Sequence, residues 1–106
     1  MDVKDRIHQT VTGHPVVLFM KGNPAQPMCG FSMNACQIIN ACGVKDFHTV
    51  DVLQDNEIRQ GIKEYANWPT IPQLYVKGEF VGGCDIITEM FQSGELQTLL
   101  GAKSAA

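Results

Sequence analysis

Four cysteines occur in the 106 residues, at Cys29, Cys36, Cys42 and Cys84, and Cys29 is set apart by what surrounds it. It follows a loop with two prolines and a glycine, Lys21-Gly22-Asn23-Pro24-Ala25-Gln26-Pro27, and begins the segment Cys29-Gly30-Phe31-Ser32, which leads into a helix. A helix start offers unpaired N–H groups and the positive end of a dipole, and both favour a thiolate over a thiol. Lys21, at the other end of the loop, adds positive charge if the loop folds back. Such a cysteine is nucleophilic and able to ligate metal. The plain alternative is a free cysteine packed as a small hydrophobe. Position favours the reactive reading for Cys29, whereas Cys36 and Cys42 lie within the helix and are expected to be buried.

Ser32 is an informative absence. A C-x-x-C pair would place a resolving thiol three residues on. The serine rules out a two-cysteine shuttle within this motif; a purely structural role at the helix start is an equally good reading of it. Thr70-Ile71-Pro72 is a second signal. The Ile71–Pro72 bond, entering a strand, is a candidate cis peptide that would turn the Ile71 backbone towards Cys29 and offer it to an extended ligand. Gly82-Gly83-Cys84-Asp85 is a third, where two glycines permit close approach at another helix start, a place for a carboxylate ligand. Asp85 would pair with a ligand amine or cap the helix. Arg59, on a third helix, suits a forked pair with a ligand carboxylate, while Lys63 reads better as a solvated charge. Cys84 lies beside this ligand site, and a regulatory disulfide with Cys29 is a hypothesis. His8, His14 and His48 are scattered and show no ligand spacing.

The elements that must position these residues are legible from periodicity. Val3, Ile7 and Val11 mark a helix over 2–12, stopped by Gly13-His14-Pro15. Val16 to Met20 is a continuous apolar run suited to a fully buried strand. The helix after Cys29 carries Ala35, Ile38, Ile39 and Cys42 on its apolar face and ends at Gly43. A strand is expected over 47–52 and a helix over 55–66, capped by Asp55 or Asn56. Residues 73–76 and 79–81 form a hairpin about Lys77-Gly78. A helix opens at 82–85, Ser93-Gly94 breaks it, a short helix covers 95–100, and 102–106 is expected to fray. The order α-β-α-β-α-β-β-α gives a parallel βαβ unit followed by an antiparallel hairpin: a four-stranded mixed sheet with helices on both faces, in one domain over 1–106.

Composition narrows the function classes. Hydrophobic residues make up 44% and charged residues 18%, a globular balance, and the net charge of −3 comes with no basic stripe to meet nucleic acid. No apolar run approaches a membrane span, and Met1-Asp2-Val3-Lys4-Asp5 does not read as a secretory leader. A reducing, cytosol-like compartment is the default, which weakens a disulfide scaffold. The absence of a paired C-x-x-C argues against structural zinc.

Several separated motifs together resemble the monothiol glutaredoxins of the CGFS type. They are Met20-Lys21-Gly22, Pro27-Met28-Cys29-Gly30-Phe31-Ser32, Trp68-Pro69-Thr70-Ile71-Pro72-Gln73-Leu74-Tyr75 and Gly82-Gly83-Cys84-Asp85, with Met28 a minor departure. The resemblance covers about residues 3–100. It implies a thioredoxin-like fold and glutathione bound beside Cys29. Lys21 and Arg59 would address the glycine carboxylate, and Thr70, Ile71 and Pro72 the central backbone. Gly83, Cys84 and Asp85 would hold the γ-glutamyl end. It further implies a [2Fe–2S] cluster. Such clusters commonly take four thiolates; two copies of Cys29 and two glutathione thiols would supply them. The expected holo form is a cluster-bridged dimer and the apo form a monomer. The implied role is cluster storage and delivery to iron–sulfur acceptor proteins, with BolA-like partners on the cluster face. Oxidoreductase activity is expected to be weak or absent; the alternative is glutathione-dependent deglutathionylation of protein thiols. The compartment would be the cytoplasm of a bacterium, or the mitochondrial matrix for a mature eukaryotic form.

Overall fold

In the computed structural model, which describes residues 2–100, helix α1 (Val3–Gly13) is capped by Asp2, whose side chain accepts the Asp5 N–H at 3.0 Å. Strand β1 (Val16–Met20) is buried at every position. Its residues divide between two faces: Val16, Leu18 and Met20 enter one apolar cluster, Val17 and Phe19 the other. This explains an apolar run without alternation, since both faces of a central strand are covered.

The segment expected to be plain loop contains a small antiparallel ribbon, β2 (Gly22–Asn23) and β3 (Gln26–Pro27). Asn23 makes the turn by accepting the Ala25 and Gln26 N–H groups on its side-chain oxygen, a substitute for backbone bonding. Helix α2 (Gly30–Ala41) follows, with Cys29 at its N-cap position. Gly43, at φ +90°, lies just past its end. Strand β4 (His48–Asp51) is shorter than the expected 47–52. Asp51 accepts the Leu53 N–H and turns Val52–Gln54 into a short 3₁₀ helix. Helix α3 (Asn56–Ala66) is capped by Asp55, which accepts the Glu57 and Ile58 N–H groups. The same carboxylate meets Arg6 of α1 at 2.7 Å.

Strands β5 (Gln73–Val76) and β6 (Glu79–Gly82) turn at Lys77 and Gly78, both at positive φ. Helix α4 (Cys84–Ser93) ends at Gly94, and α5 (Glu95–Leu99) closes the described chain. The expected frayed tail, 102–106, lies outside the described residues. The sheet order is β4-β1-β5-β6, with β1 parallel to β4 and antiparallel to β5, and β5 antiparallel to β6. The four-stranded mixed sheet expected from the element order is therefore present. Residues of α2, α4 and α5 pack on one face, among them Ala35, Ile39, Ile87 and Leu96. Residues of α1 and α3 cover the other, among them Ile7, Val11, Ile58 and Ile62. The parallel pairing also brings together two histidines that looked scattered: the His14 and His48 rings stack at 3.9 Å, parallel within 1°. Among the described residues no helix is long and apolar enough to cross a membrane.

Candidate functional site

Cys29 sits where a buried strand, a short ribbon and a helix start meet. The ribbon holds the loop down, with the Met28 N–H donating to the Lys21 carbonyl at 2.9 Å. Ser32, fully buried, accepts the Lys21 N–H on its hydroxyl at 3.0 Å, and this pins the end of β1 to the first turn of α2. The serine thus has the structural role that was one of its two readings. The same first turn tunes the thiol. The Ser32 backbone N–H lowers the Cys29 pKa most; partial burial opposes it, and the Phe31 N–H, the Lys21 charge and the Ser32 hydroxyl lower it further. Cys36 and Cys42 are pushed the other way by burial alone, and the Cys36 sulfur lies 3.5 Å from that of Met20. All four cysteines are free thiols.

A cleft of about 490 Å³ opens beside Cys29. Lys21 and Phe31 line it with the cysteine; Trp68, Pro69, Thr70, Ile71 and Pro72 form the facing wall, and Gly83, Cys84 and Asp85 close the end. The Ile71–Pro72 peptide is cis. Gly83 lets the backbone pass close to the wall: a Cβ there would stand 3.0 Å from the Trp68 Nε1 and 3.4 Å from the Pro72 carbonyl oxygen, tight enough that a neighbour would have to shift. That indole N–H is buried and has no hydrogen-bond partner among the described residues. On its other side Cys29 borders a second hollow, of about 480 Å³, where Asn34 of α2 donates to the Cys84 sulfur at 3.4 Å.

Of the residues singled out in the sequence, Lys21, Cys29, Thr70, Ile71, Pro72, Gly83, Cys84 and Asp85 are brought to one cleft. Arg59 is not among its lining residues. It is half-buried on α3, and its guanidinium has no hydrogen bond or ion pair among the described residues. Sequence reasoning gave no role to Phe31 or Asn34. Phe31 is 64% exposed and lines the cleft, and an aromatic at a helix start two residues after Cys29 was the available signal.

The family model for glutaredoxin matches residues 16–81 of this chain. The chain belongs to the glutaredoxin family. Within it the similarity is to monothiol members. A monothiol glutaredoxin of Synechocystis is 61% identical over 99 residues, covering 93% of this chain and 92% of the relative. Glutaredoxin 4 of Haemophilus influenzae is 50% identical over 105 residues, covering 99% and 97%. Among solved structures, reduced poplar apo GrxS14 superposes with a TM-score of 0.82 at 46% identity, covering 98% of this glutaredoxin and 94% of the other chain. A buckwheat glutaredoxin solved with glutathione shares the fold at 22% identity, with a TM-score of 0.82 over 94% of this chain and 88% of its own.

Proposed function

We propose that this monothiol glutaredoxin binds glutathione in the cleft beside Cys29 and, with the glutathione thiol, holds a [2Fe–2S] cluster that it stores and delivers to acceptor proteins. The observation that carries the reading is the Cys29 thiol, biased towards thiolate, beside a cleft that Lys21 and the N-terminus of α4 also line. Glutathione has the matching parts: a thiol for Cys29 to meet, an extended backbone for the Thr70–Pro72 wall, a carboxylate for Lys21, and an α-amino-carboxylate end for Gly83, Cys84 and Asp85. Arg59 is assigned here to the glycine carboxylate together with Lys21.

The donor set fits a cluster only if ligands come from outside the chain. Among the described residues no group of three or more histidine, cysteine or acidic side chains is placed to hold a metal. One Cys29 thiolate per copy, with one glutathione thiol each, makes four soft ligands from two copies. Met28, Phe31 and Met33, 61%, 64% and 45% exposed, give the thiol an apolar collar against which a second copy, a BolA-like partner or an acceptor would close. Ligands that are half non-protein exchange readily, which suits a cargo rather than a resident centre. Residues 1–106 act in this reading as one domain.

Anaerobic reconstitution with iron and sulfide, followed by visible absorption and size-exclusion chromatography, tests it. A coloured dimer that requires glutathione and is lost in Cys29→Ser is the expected result. A colourless monomer with and without glutathione would sink the cluster role.

The lowering of the Cys29 pKa by the first-turn amides of α2 supports a second reading, deglutathionylation. The Cys29 thiolate would attack the glutathione sulfur of a protein–glutathione disulfide, releasing the protein thiolate and forming a Cys29–glutathione disulfide. A second glutathione thiolate would then attack that glutathione sulfur, releasing glutathione disulfide and restoring the Cys29 thiolate. Turnover of a glutathionylated protein by the metal-free chain, absent in Cys29→Ser, would favour this reading.

A further inference from the structure

The facing wall of the cleft, Trp68 to Thr70, belongs to neither a helix nor a strand and carries a proline, so something else must fix its shape. Gln73, at the start of β5, is fully buried and is not among the cleft's lining residues. Its Nε2 donates to the Trp68 carbonyl at 3.1 Å and to the Thr70 carbonyl at 3.2 Å. Among the described residues no main-chain N–H reaches either carbonyl. Its Oε1 accepts the Tyr75 hydroxyl at 3.2 Å. Both amide protons and the carbonyl are therefore used, and the side chain has one orientation that satisfies all three partners. Tyr75 is itself held, 1% exposed, edge-on to Phe19 and tilted against Tyr65 and Phe80. Burial keeps its hydroxyl protonated, so it donates across the working pH range.

We propose that Gln73 is a positioning residue: its buried carboxamide, locked by Tyr75, clips the Trp68 and Thr70 carbonyls and so sets the wall against which glutathione lies. The glutathione part rests on the function proposed above. The clip would act through geometry alone, because a wall displaced by an ångström loses much of what a preorganised site gains.

The test uses the full chain with Gln73→Met, Gln73→Glu and Tyr75→Phe. Four quantities are read: affinity for reduced glutathione by calorimetry, fluorescence anisotropy of Trp68 (the single tryptophan), the pH profile of Cys29 alkylation, and Tm. Gln73→Met should weaken glutathione roughly tenfold or more and lower the anisotropy. Gln73→Glu should do the same, since a carboxylate has no donor for the two carbonyls. Tyr75→Phe should act in the same direction but less strongly. The alkylation profile should not move, because the groups that tune Cys29 lie on α2 and at Lys21.

A folded Gln73→Met that binds glutathione within about twofold of wild type, whatever its Tm, would overturn the proposal. If the Gln73 variants do not fold, Tyr75→Phe decides alone, and unchanged affinity with unchanged anisotropy overturns it. If wild type binds no glutathione, the function proposed above falls, while the anisotropy of the variants still judges the clip: lowered supports it, unchanged overturns it.

Discussion

Cys29 combines a weakly shielded thiol with amides that prefer it ionised, and its neighbours in sequence show the reverse. Iodoacetamide alkylation followed by mass spectrometry should therefore give a Cys29 rate whose pH midpoint lies below that of an ordinary thiol. Lys21→Ala should raise that midpoint, because removing a nearby positive charge disfavours the thiolate. Cys36 and Cys42 should react only after unfolding, being both buried and held protonated by that burial. Equal labelling of Cys29 and Cys36 in the native state would contradict this picture. The placing of Cys29 at a helix start beside a cleft was legible because its signals are local: a proline-bearing loop, then a helix start. Ser32 was ambiguous because its partner is the main chain of Lys21, eleven residues upstream, and no local pattern reveals a bond closed by folding. Gln73 was invisible as more than part of a motif, since its partners are carbonyls of a loop whose shape only the fold defines.

At the scale of elements, the ribbon below β1 imposes a demand on Gly22. Its φ is +87°, and a Cβ would lie 2.5 Å from the Gln26 carbonyl oxygen and 2.7 Å from the Met28 nitrogen. Gly22→Ala should cost about 2 kcal/mol or more, read as a shift in the urea midpoint, because neither the backbone nor the neighbour can give way cheaply. Asp55 makes a different demand, as cap of α3 and partner of Arg6. Its carboxyl is held below the usual range, first by the Arg6 hydrogen bond and then by the Ile58 N–H. A depressed folded pKa gives stability that is present above the unfolded pKa of about 4 and is lost as pH falls through the folded value. Asp55→Ala should thus lower Tm at pH 7, and the gap from wild type should close as the pH drops below about 4; a gap independent of pH would show that charge plays no part. Long periodic segments were readable in the sequence, β1 because both its faces are covered. Two-residue strands and a 3₁₀ turn were not, since Asn23 and Asp51 create them by side-chain bonds with no periodicity to detect.

Across the whole molecule, the parallel alignment of β1 and β4 stacks His14 on His48, residues 34 apart in the chain, so no spacing rule could have paired them. Burial first, and the facing His14 second, push the His48 pKa down. The folded state therefore resists protonation that the unfolded chain accepts. The stability linked to His48 is present above about pH 6.5 and declines as pH falls through its folded value. His14→Ala should flatten that part of the Tm profile, and an unchanged slope between pH 7 and 5 would remove His14 from the account. The order of the chain through the sheet has a further consequence, in time rather than in space. A protein made from its N-terminus completes Cys29 long before β5, the neighbour that encloses β1 on its second edge, or α4, which packs against α2. A twelve-residue helix such as α2 is marginal alone, so its first turn cannot ionise the thiol until the rest of the chain arrives to hold it. During synthesis the sulfur is an ordinary thiol, and the amides that favour its thiolate are set in place in the same event that completes the fold.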